Sequence, residues 1–358
     1  MKINAKILIC YNSPVSIFPV YNGKPVKKGL SSDDLSENGF SKEIHSIKEK
    51  LLKYFRHVYT LAIDRNIEHT IKQINKFSPD VIFNFVEAVE GISPYEYCMA
   101  GVFQLLGVEF TGNLPACLGN CLNKARTKNI LKSFGIPTPG YITVKPKEKI
   151  TEDQFNLPFP VILKLLNEDA SIGISEFSVV KNFAQLKKQL NFLHRTYKQE
   201  VIIEEYIDGR ELNVAILNNK VLPVSEIKFT GLPEDLPKIV TYDGKWIANS
   251  VYYDNTKPQC PAKLNQKIKN KIEKTALSAF EALNCRDYAR VDIRLNSNVP
   301  YVVEVNPNPD ISFDSGFARA ASAAGISHQE LLFKISNQAL VRHYEMNKRK
   351  YDTENKAS

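Results

Sequence analysis

Hydrophobic positions change period along the chain, and the changes mark its elements. Residues 6–10 form a short apolar run, the pattern of a buried strand. Ile44, Ile47, Leu51 and Phe55 recur at helical spacing, and residues 59–63 are a second apolar run. Ile67, Ile71, Ile74 and Phe77 make another helical stripe, closed by Pro79, before a third strand at 81–86. This alternation predicts a parallel sheet flanked by helices. Residues 12–40, rich in Pro, Gly and Ser, are predicted as a long loop.

Beyond residue 121 the rhythm changes. A helix is predicted over 122–133, stopped by Gly135 and Pro137, followed by a Pro-punctuated stretch to Pro160. Strands are expected at 161–166, 174–180, 201–206, 212–217 and 221–227, with a helix at 183–197. Leu264, Ile268, Ile272, Ala276, Phe280 and Leu283 stripe a long amphipathic helix. Strands at 289–295 and 301–306 and helices at 318–324 and 329–344 complete the pattern. The fold class is therefore α/β: an N-terminal parallel domain over 1–121, then two α+β subdomains over 122–200 and 201–345, and a polar tail over 346–358.

Composition narrows the function classes. Hydrophobic residues at 43% and charged residues at 24% exclude an intrinsically disordered chain. No apolar run approaches the ~18–20 residues of a membrane span, and residues 7–10 are too short for a signal core. A cytoplasmic protein is expected. The net charge of +8 is concentrated at 263–274 and 342–356. Neither stretch interleaves aromatics, so no nucleic-acid partner is expected, whereas the excess suits a cleft for polyphosphate. The six cysteines are scattered, and Cys117 and Cys121 lack a matching His or Cys cluster, so reduced thiols are expected. The turn Tyr11-Asn12-Ser13-Pro14 carries no GxGxxG, which argues against a dinucleotide site. Asn84, Glu87 and Glu90 lie just past the third strand, where such a sheet forms its ligand crevice.

The most informative stretch is 288–306. On one strand Arg290 and Asp292 alternate with Ala289, Val291 and Ile293; on the next Glu304 and Asn306 alternate with Val303 and Val305. A hairpin loop at 296–300 would pair Leu295 with Tyr301, Ile293 with Val303, Asp292 with Glu304 and Arg290 with Asn306. Opposed residues stand about 5 Å apart, so two facing carboxylates need a compensating charge. With an Asn beside them, the set suits a hard cation such as Mg²⁺. A solvated outer face would show the same alternation.

Lys164 ends a strand and precedes Ala170-Ser171-Ile172-Gly173-Ile174-Ser175, a small-residue loop able to fold over phosphates. Residues 204–207 could offer an adenine-binding edge, and Glu211 an acceptor for ribose hydroxyls.

Taken in order, these segments resemble the ATP-grasp carboxylate–amine ligases, most closely the D-alanine–D-alanine ligase group. The motifs are Asn123-Lys124-Ala125-Arg126-Thr127-Lys128, Ile162-Leu163-Lys164 with its loop, Ile203 to Glu211, Tyr242-Asp243-Gly244-Lys245-Trp246, Arg290-Val291-Asp292 and Glu304-Val305-Asn306. The resemblance implies a pre-ATP-grasp domain followed by a two-domain ATP-grasp fold. It implies ATP held by Lys124, Lys164, Ser171, Gly173, Glu204, Ile207, Glu211 and Lys245. It implies Mg²⁺, with Mn²⁺ as a substitute, on Asp292, Glu304 and Asn306, and a catalytic set of Arg290, Lys245 and Ser171. Partners would be amino-acid or small-peptide substrates, and a homodimer is compatible with the family.

Departures fall on the substrate side. Ala170 replaces the first loop serine, Trp246 follows the loop lysine in place of tyrosine, and Pro309-Asp310 stands where the family has Pro-Gly. A carboxylate there would repel an amino-acid carboxylate and attract an amine. Glu87, Asp310, Asp314 and Ser315 are the candidate substrate residues. The expected function is ATP-dependent joining of a carboxylate to an amine through an acyl phosphate. D-alanine dimer synthesis and a non-catalytic ATP-binding module are the alternatives.

Overall fold

The computed structural model describes residues 1–13, 15–25, 35 and 40–357, so positions 14, 26–34 and 36–39 of the loop expected over 12–40 lie outside the described residues. Strand β1 (Ile3–Asn12), helix α1 (Phe40–Leu51), β2 (Phe55–Ile63), α2 (Ile67–Phe77), β3 (Val81–Phe85), α3 (Tyr95–Leu105) and β4 (Glu109–Phe110) build a parallel sheet in the order β2-β1-β3-β4. Both faces of β1 are buried, as a parallel sheet requires. Ile7 and Ile9 pack with Ile44, Ile47 and Leu51 of α1, while Leu8 and Cys10 pack with Ile74, Met99 and Phe103.

Helix α4 (Pro115–Leu122) follows, and Asn123 ends it. Extended there, Asn123 accepts from the Arg126 N–H and starts a new helix, α5 (Lys124–Ser133). The single helix expected from 122 thus begins at Lys124, with its first lysine in the first turn. Strands β5 (Tyr141–Val144), β6 (Val161–Leu165), β7 (Val179–Val180) and β8 (Val201–Glu205) form an antiparallel sheet, β5-β8-β6-β7, covered by α6 (Phe183–Tyr197). The strand expected over 174–180 is reduced to β7, because Ser175 caps a short 3₁₀ turn over Glu176–Ser178.

The third sheet comprises β9 (Arg210–Leu217), β10 (Lys220–Val221), β11 (Ser225–Lys228), β12 (Lys257–Gln259), β13 (Tyr288–Asn296) and β14 (Val299–Asn306), ordered β12-β11-β9-β13-β14 with β10 on β9. Pro223 lies between β10 and β11, where one strand was expected. Two short helices, α7 (Tyr242–Trp246) and α8 (Val251–Asn255), precede β12. Helix α9 (Gln266–Ala282) packs its stripe on this sheet through Ile268, Ile272, Ala276 and Phe280. Helices α10 (Gly316–Ala323) and α11 (His328–Ala357) follow. The last takes in 346–357, expected as a polar tail. It packs Leu331, Leu332 and Ile335 into the core of the first sheet.

The β13–β14 hairpin corrects one expectation and keeps another. Its turn is Ser297-Asn298, both at positive φ (47° and 64°), the two-residue turn that matches strand twist. Pairing at the tip is therefore Leu295 with Pro300 and Ile293 with Val302. A bulge leaves Val303 unpaired, and beyond it Asp292 faces Glu304 and Arg290 faces Asn306, as expected. The bulge turns Val302, not Val303, into the core.

Candidate active site

A cleft of about 840 Å³ opens between the three sheets. The floor is the polar face of β13 and β14. Arg290 holds Asp292 in a two-pronged grip, Nε to Oδ1 and a terminal nitrogen to Oδ2, each 2.8 Å. Asn213 of β9 donates to Asp292 Oδ1 at 2.7 Å and Asn306 to Oδ2 at 3.1 Å. Glu304, facing Asp292, takes the ammonium of Lys124 at 3.0 Å. The like-charged rung is thus compensated from both ends. Burial alone would raise Glu304, but Lys124 and Lys164 outweigh it and hold the carboxyl at about 2.

Two buried lysines of α5 lie on one helix face because they are four residues apart; Lys124 lines the cleft, whereas Lys128 meets the cleft residue Glu204. Lys124 also binds the Glu168 carbonyl at 2.5 Å and Asp169 at 3.0 Å. Burial would lower its pKa; Asp169 and Glu304 raise it. Lys128 lies 3.3 Å from Glu204 Oε1, and Lys164 lies 3.0 Å from Oε2. Lys128 further donates to the carbonyl that the bulge frees at Val303, at 3.1 Å. Burial pushes Lys128 down to about 8 despite Glu204. Lys245 lines the cleft from α7 with much of its surface exposed, and desolvation together with Arg290 lowers its ammonium. Glu211 is paired with Arg294 at 2.7 Å, and Ile207 lines the same end.

The small-residue loop is shaped by backbone. Ala170 and Ser171 both adopt positive φ (53° and 62°), a conformation worth holding only where the surroundings fix it. Trp246 Nε1 clamps the Ala170 carbonyl at 3.2 Å, and Ser171 Oγ donates to Val240 at 3.0 Å. Gly173 does not line the cleft; its N–H donates to the Tyr21 carbonyl at 2.7 Å. Residues 21–24 form a strap over the loop's outer side. Gly23 accepts from Ser175 Oγ at 3.2 Å, and Lys24 bridges Glu176 (3.1 Å) and Asp243 (2.6 Å).

The opposite end is acidic. Glu87, Asp310, Asp314 and Ser315 all line it, joined by Glu43 of α1 and Glu96 of α3. Asp310 accepts from Ser312 N–H and Ser315 Oγ caps α10, so both also shape their own loops. Burial raises Glu43, with Asp310 and Asp314 adding repulsion; burial raises Glu96 further, with Asp169 and Glu87 adding to it. Of the other crevice candidates, Asn84 is buried and bonded to its own loop, and Glu90 pairs with Arg65. Sequence reasoning missed Lys128, Asn213, Glu43, Glu96 and the strap. Asn213 carried a signal, a polar residue between buried Leu212 and Val214.

The family model for the D-ala D-ala ligase C-terminus matches residues 130–337. An uncharacterized protein, y4sG, of Sinorhizobium fredii (strain NBRC 101917 / NGR234) is 34% identical over 268 residues, 74% of this chain and 76% of that one. The D-alanine–D-alanine ligase of Hydrogenovibrio crunogenus (strain DSM 25203 / XCL-2) is 30% identical over 240 residues, 67% of this chain and 72% of that one. A crystal structure of the D-alanine–D-alanine ligase from Bacillus anthracis complexed with ATP shares the fold, with a TM-score of 0.72. It covers 96% of this chain and 99% of its own, at 23% identity.

Proposed function

The chain belongs to the D-alanine–D-alanine ligase family, ATP-dependent ligases that join a carboxylate to an amine, and on that premise we propose how its cleft divides the work. The observation that carries the reading is one place in the molecule. The Asp292–Glu304 rung, Arg290, Lys124, Lys164 and Lys245 all face a single cleft.

A carboxylate approaching ATP brings anion to anion, so positioning and charge neutralisation are the protein's main tasks. Lys124, Lys164 and Lys245 hold the phosphate oxygens, and the edge at 204–207 with Glu211 takes the nucleoside end. The substrate carboxylate attacks the terminal phosphorus, ADP leaves, and an acyl phosphate forms. The amine, having released the proton of its ammonium form to solvent, then attacks the acyl carbon and expels phosphate, which carries off the second nitrogen proton, while the Arg290 guanidinium faces the oxyanion of that addition. Asp292, Glu304 and the Asn306 amide oxygen are hard donors in cross-strand register, a set that fits Mg²⁺ or Mn²⁺. Such an ion, when bound, neutralises phosphate charge.

The acidic end receives the amine. With Asp310 in place of a backbone-donating glycine, and Glu43, Glu87 and Asp314 beside it, that end favours an ammonium and disfavours a free carboxylate. The acceptor is therefore an amine without a free carboxylate, such as an amino-acid amide or a diamine, rather than D-alanine.

The test is ADP and phosphate release with ATP and Mg²⁺ over a panel of amino acids, amides and amines that includes D-alanine. Amine-stimulated release is expected; tight ATP binding without turnover on the whole panel would support a binding module instead. Lys164→Ala and Glu304→Gln should each cut turnover at least ~100-fold with the far-ultraviolet circular dichroism unchanged. Near-normal turnover in either variant would refute the assignment.

A further inference from the structure

Two cysteines of one helix and a third far along the chain meet in the fold. Cys117 and Cys121 are one helical turn apart on the buried face of α4, and Cys285 lies 3.5 Å from Cys117, sulfur to sulfur. All three sulfurs lie within 4.8 Å of one another. Two thiolates on one tetrahedral Zn²⁺ stand roughly 3.8 Å apart, given Zn–S bonds of about 2.3 Å. A shift of at most about 1 Å brings this trio to that spacing.

The positions are rigid. Helix α9 ends in a Schellman closure: Asn284 adopts φ 55°, its N–H bonds to Glu281, and the Cys285 N–H bonds back to Phe280 at 2.9 Å. Cys285 is thereby fixed at the helix end and is half-buried, which leaves a way in for an ion.

The charge beside the trio is unusual. Arg286 is held by carbonyls, Nε to Gly112 at 2.6 Å and a terminal nitrogen to Phe110 at 3.0 Å. Among the described residues no carboxylate forms an ion pair with it, because Arg342 takes the neighbouring Asp287 and Glu109. Three thiolates with one divalent cation leave a single negative charge, which this guanidinium would balance.

We propose that Cys117, Cys121 and Cys285 bind one thiophilic d¹⁰ cation, Zn²⁺ being the reference ion, with the thiol protons released to solvent. The site joins α4, beside the first sheet, to the loop leading into β13. Asn113 connects it to the cleft floor: its side chain accepts from the Arg286 N–H and donates to the Tyr288 and Pro307 carbonyls.

The experiment uses the full chain, reduced and chelator-treated, titrated with Cd²⁺ alone in excess Mg²⁺. One Cd²⁺ per chain should give a thiolate-to-metal ultraviolet charge-transfer band that Zn²⁺ abolishes. Cys285→Ser should weaken Cd²⁺ binding at least ~100-fold, while Cys98→Ser and Glu304→Gln leave the band unchanged. Circular dichroism of Cys285→Ser separates loss of a ligand from loss of fold, and Cys121→Ser supplies the same reading at a second ligand. No band at stoichiometric Cd²⁺, or an undiminished band in folded Cys285→Ser, would overturn the proposal. So would a Cys117–Cys285 disulfide in the isolated protein, seen by mass as the loss of two hydrogens.

Discussion

Glu204→Gln isolates the electrostatics of the cleft in one atom exchange. Glu204 is 1% exposed and is the shared counter-ion of Lys128 and Lys164, at 3.3 and 3.0 Å. At an effective dielectric constant near 20, each attraction is worth roughly 5 kcal/mol before desolvation is subtracted. Removing one partner of a buried pair typically costs about 3–5 kcal/mol, because a charge is left uncompensated. Lys164 is partly exposed and can recruit water, whereas Lys128 is 1% exposed and cannot. The deficit therefore falls on Lys128, whose pKa should drop further below about 8. The sign follows. A lysine whose folded pKa is depressed binds fewer protons folded than unfolded between that pKa and its ordinary one, so stability rises with pH through that window. In the wild type the window opens near 8; in the variant it opens lower. Urea unfolding by circular dichroism, without nucleotide, should show Glu204→Gln about 3–5 kcal/mol less stable at pH 6. The gap should narrow by pH 8. A deficit under about 1 kcal/mol, or one that stays flat from pH 6 to 8, would refute this account of the triad.

Gly23→Ala tests the strap. Gly23 sits at φ +68°, and a methyl group there would overlap the Gly173 carbonyl oxygen. The KM for ATP should rise at least ~10-fold, about 1.4 kcal/mol, in a steady-state assay, and an unchanged KM would show that the strap does not support the loop. Asp310→Gly should shift acceptor preference toward amines bearing a free carboxylate, read as the ratio of kcat/KM for an amino acid and its amide; an unchanged ratio would clear Asp310 of that role. Glu304 is held at about 2 in the folded chain, so its share of stability is full above the ordinary carboxyl pKa and lost as pH falls toward 2. Glu304→Gln should flatten that part of the acid-unfolding curve, and an identical slope in both proteins would contradict it.

Periodicity in this chain encoded each element through contacts made within it. The βαβαβ start, the α9 stripe and the Asp292–Glu304 rung were legible because a face must be apolar over a 2.0 or 3.6 repeat to be buried. The hairpin shows the limit. Its turn was misplaced because Ser297-Asn298 is not the usual glycine-bearing pair, yet the Asp292–Glu304 rung held because the bulge at Val303 restores the register lost at the tip. The resemblance to the ligase family was readable for a related reason: each motif is short, local and ordered along the chain.

What lies between elements was decided only by packing. Lys128 had no signal beyond a basic helix face, and it became a counter-ion of the cleft residue Glu204 because α5 docks against β14. Glu43 reached the acidic end because α1 packs beside α11. Cys285 met Cys117 because α9 ends where α4 begins its buried face. A sequence pattern reports the average environment of a residue along its own strand or helix. The identity of the neighbour across a gap of a hundred residues depends on chain topology, and side chains such as lysine, glutamate and cysteine take their chemistry from that neighbour.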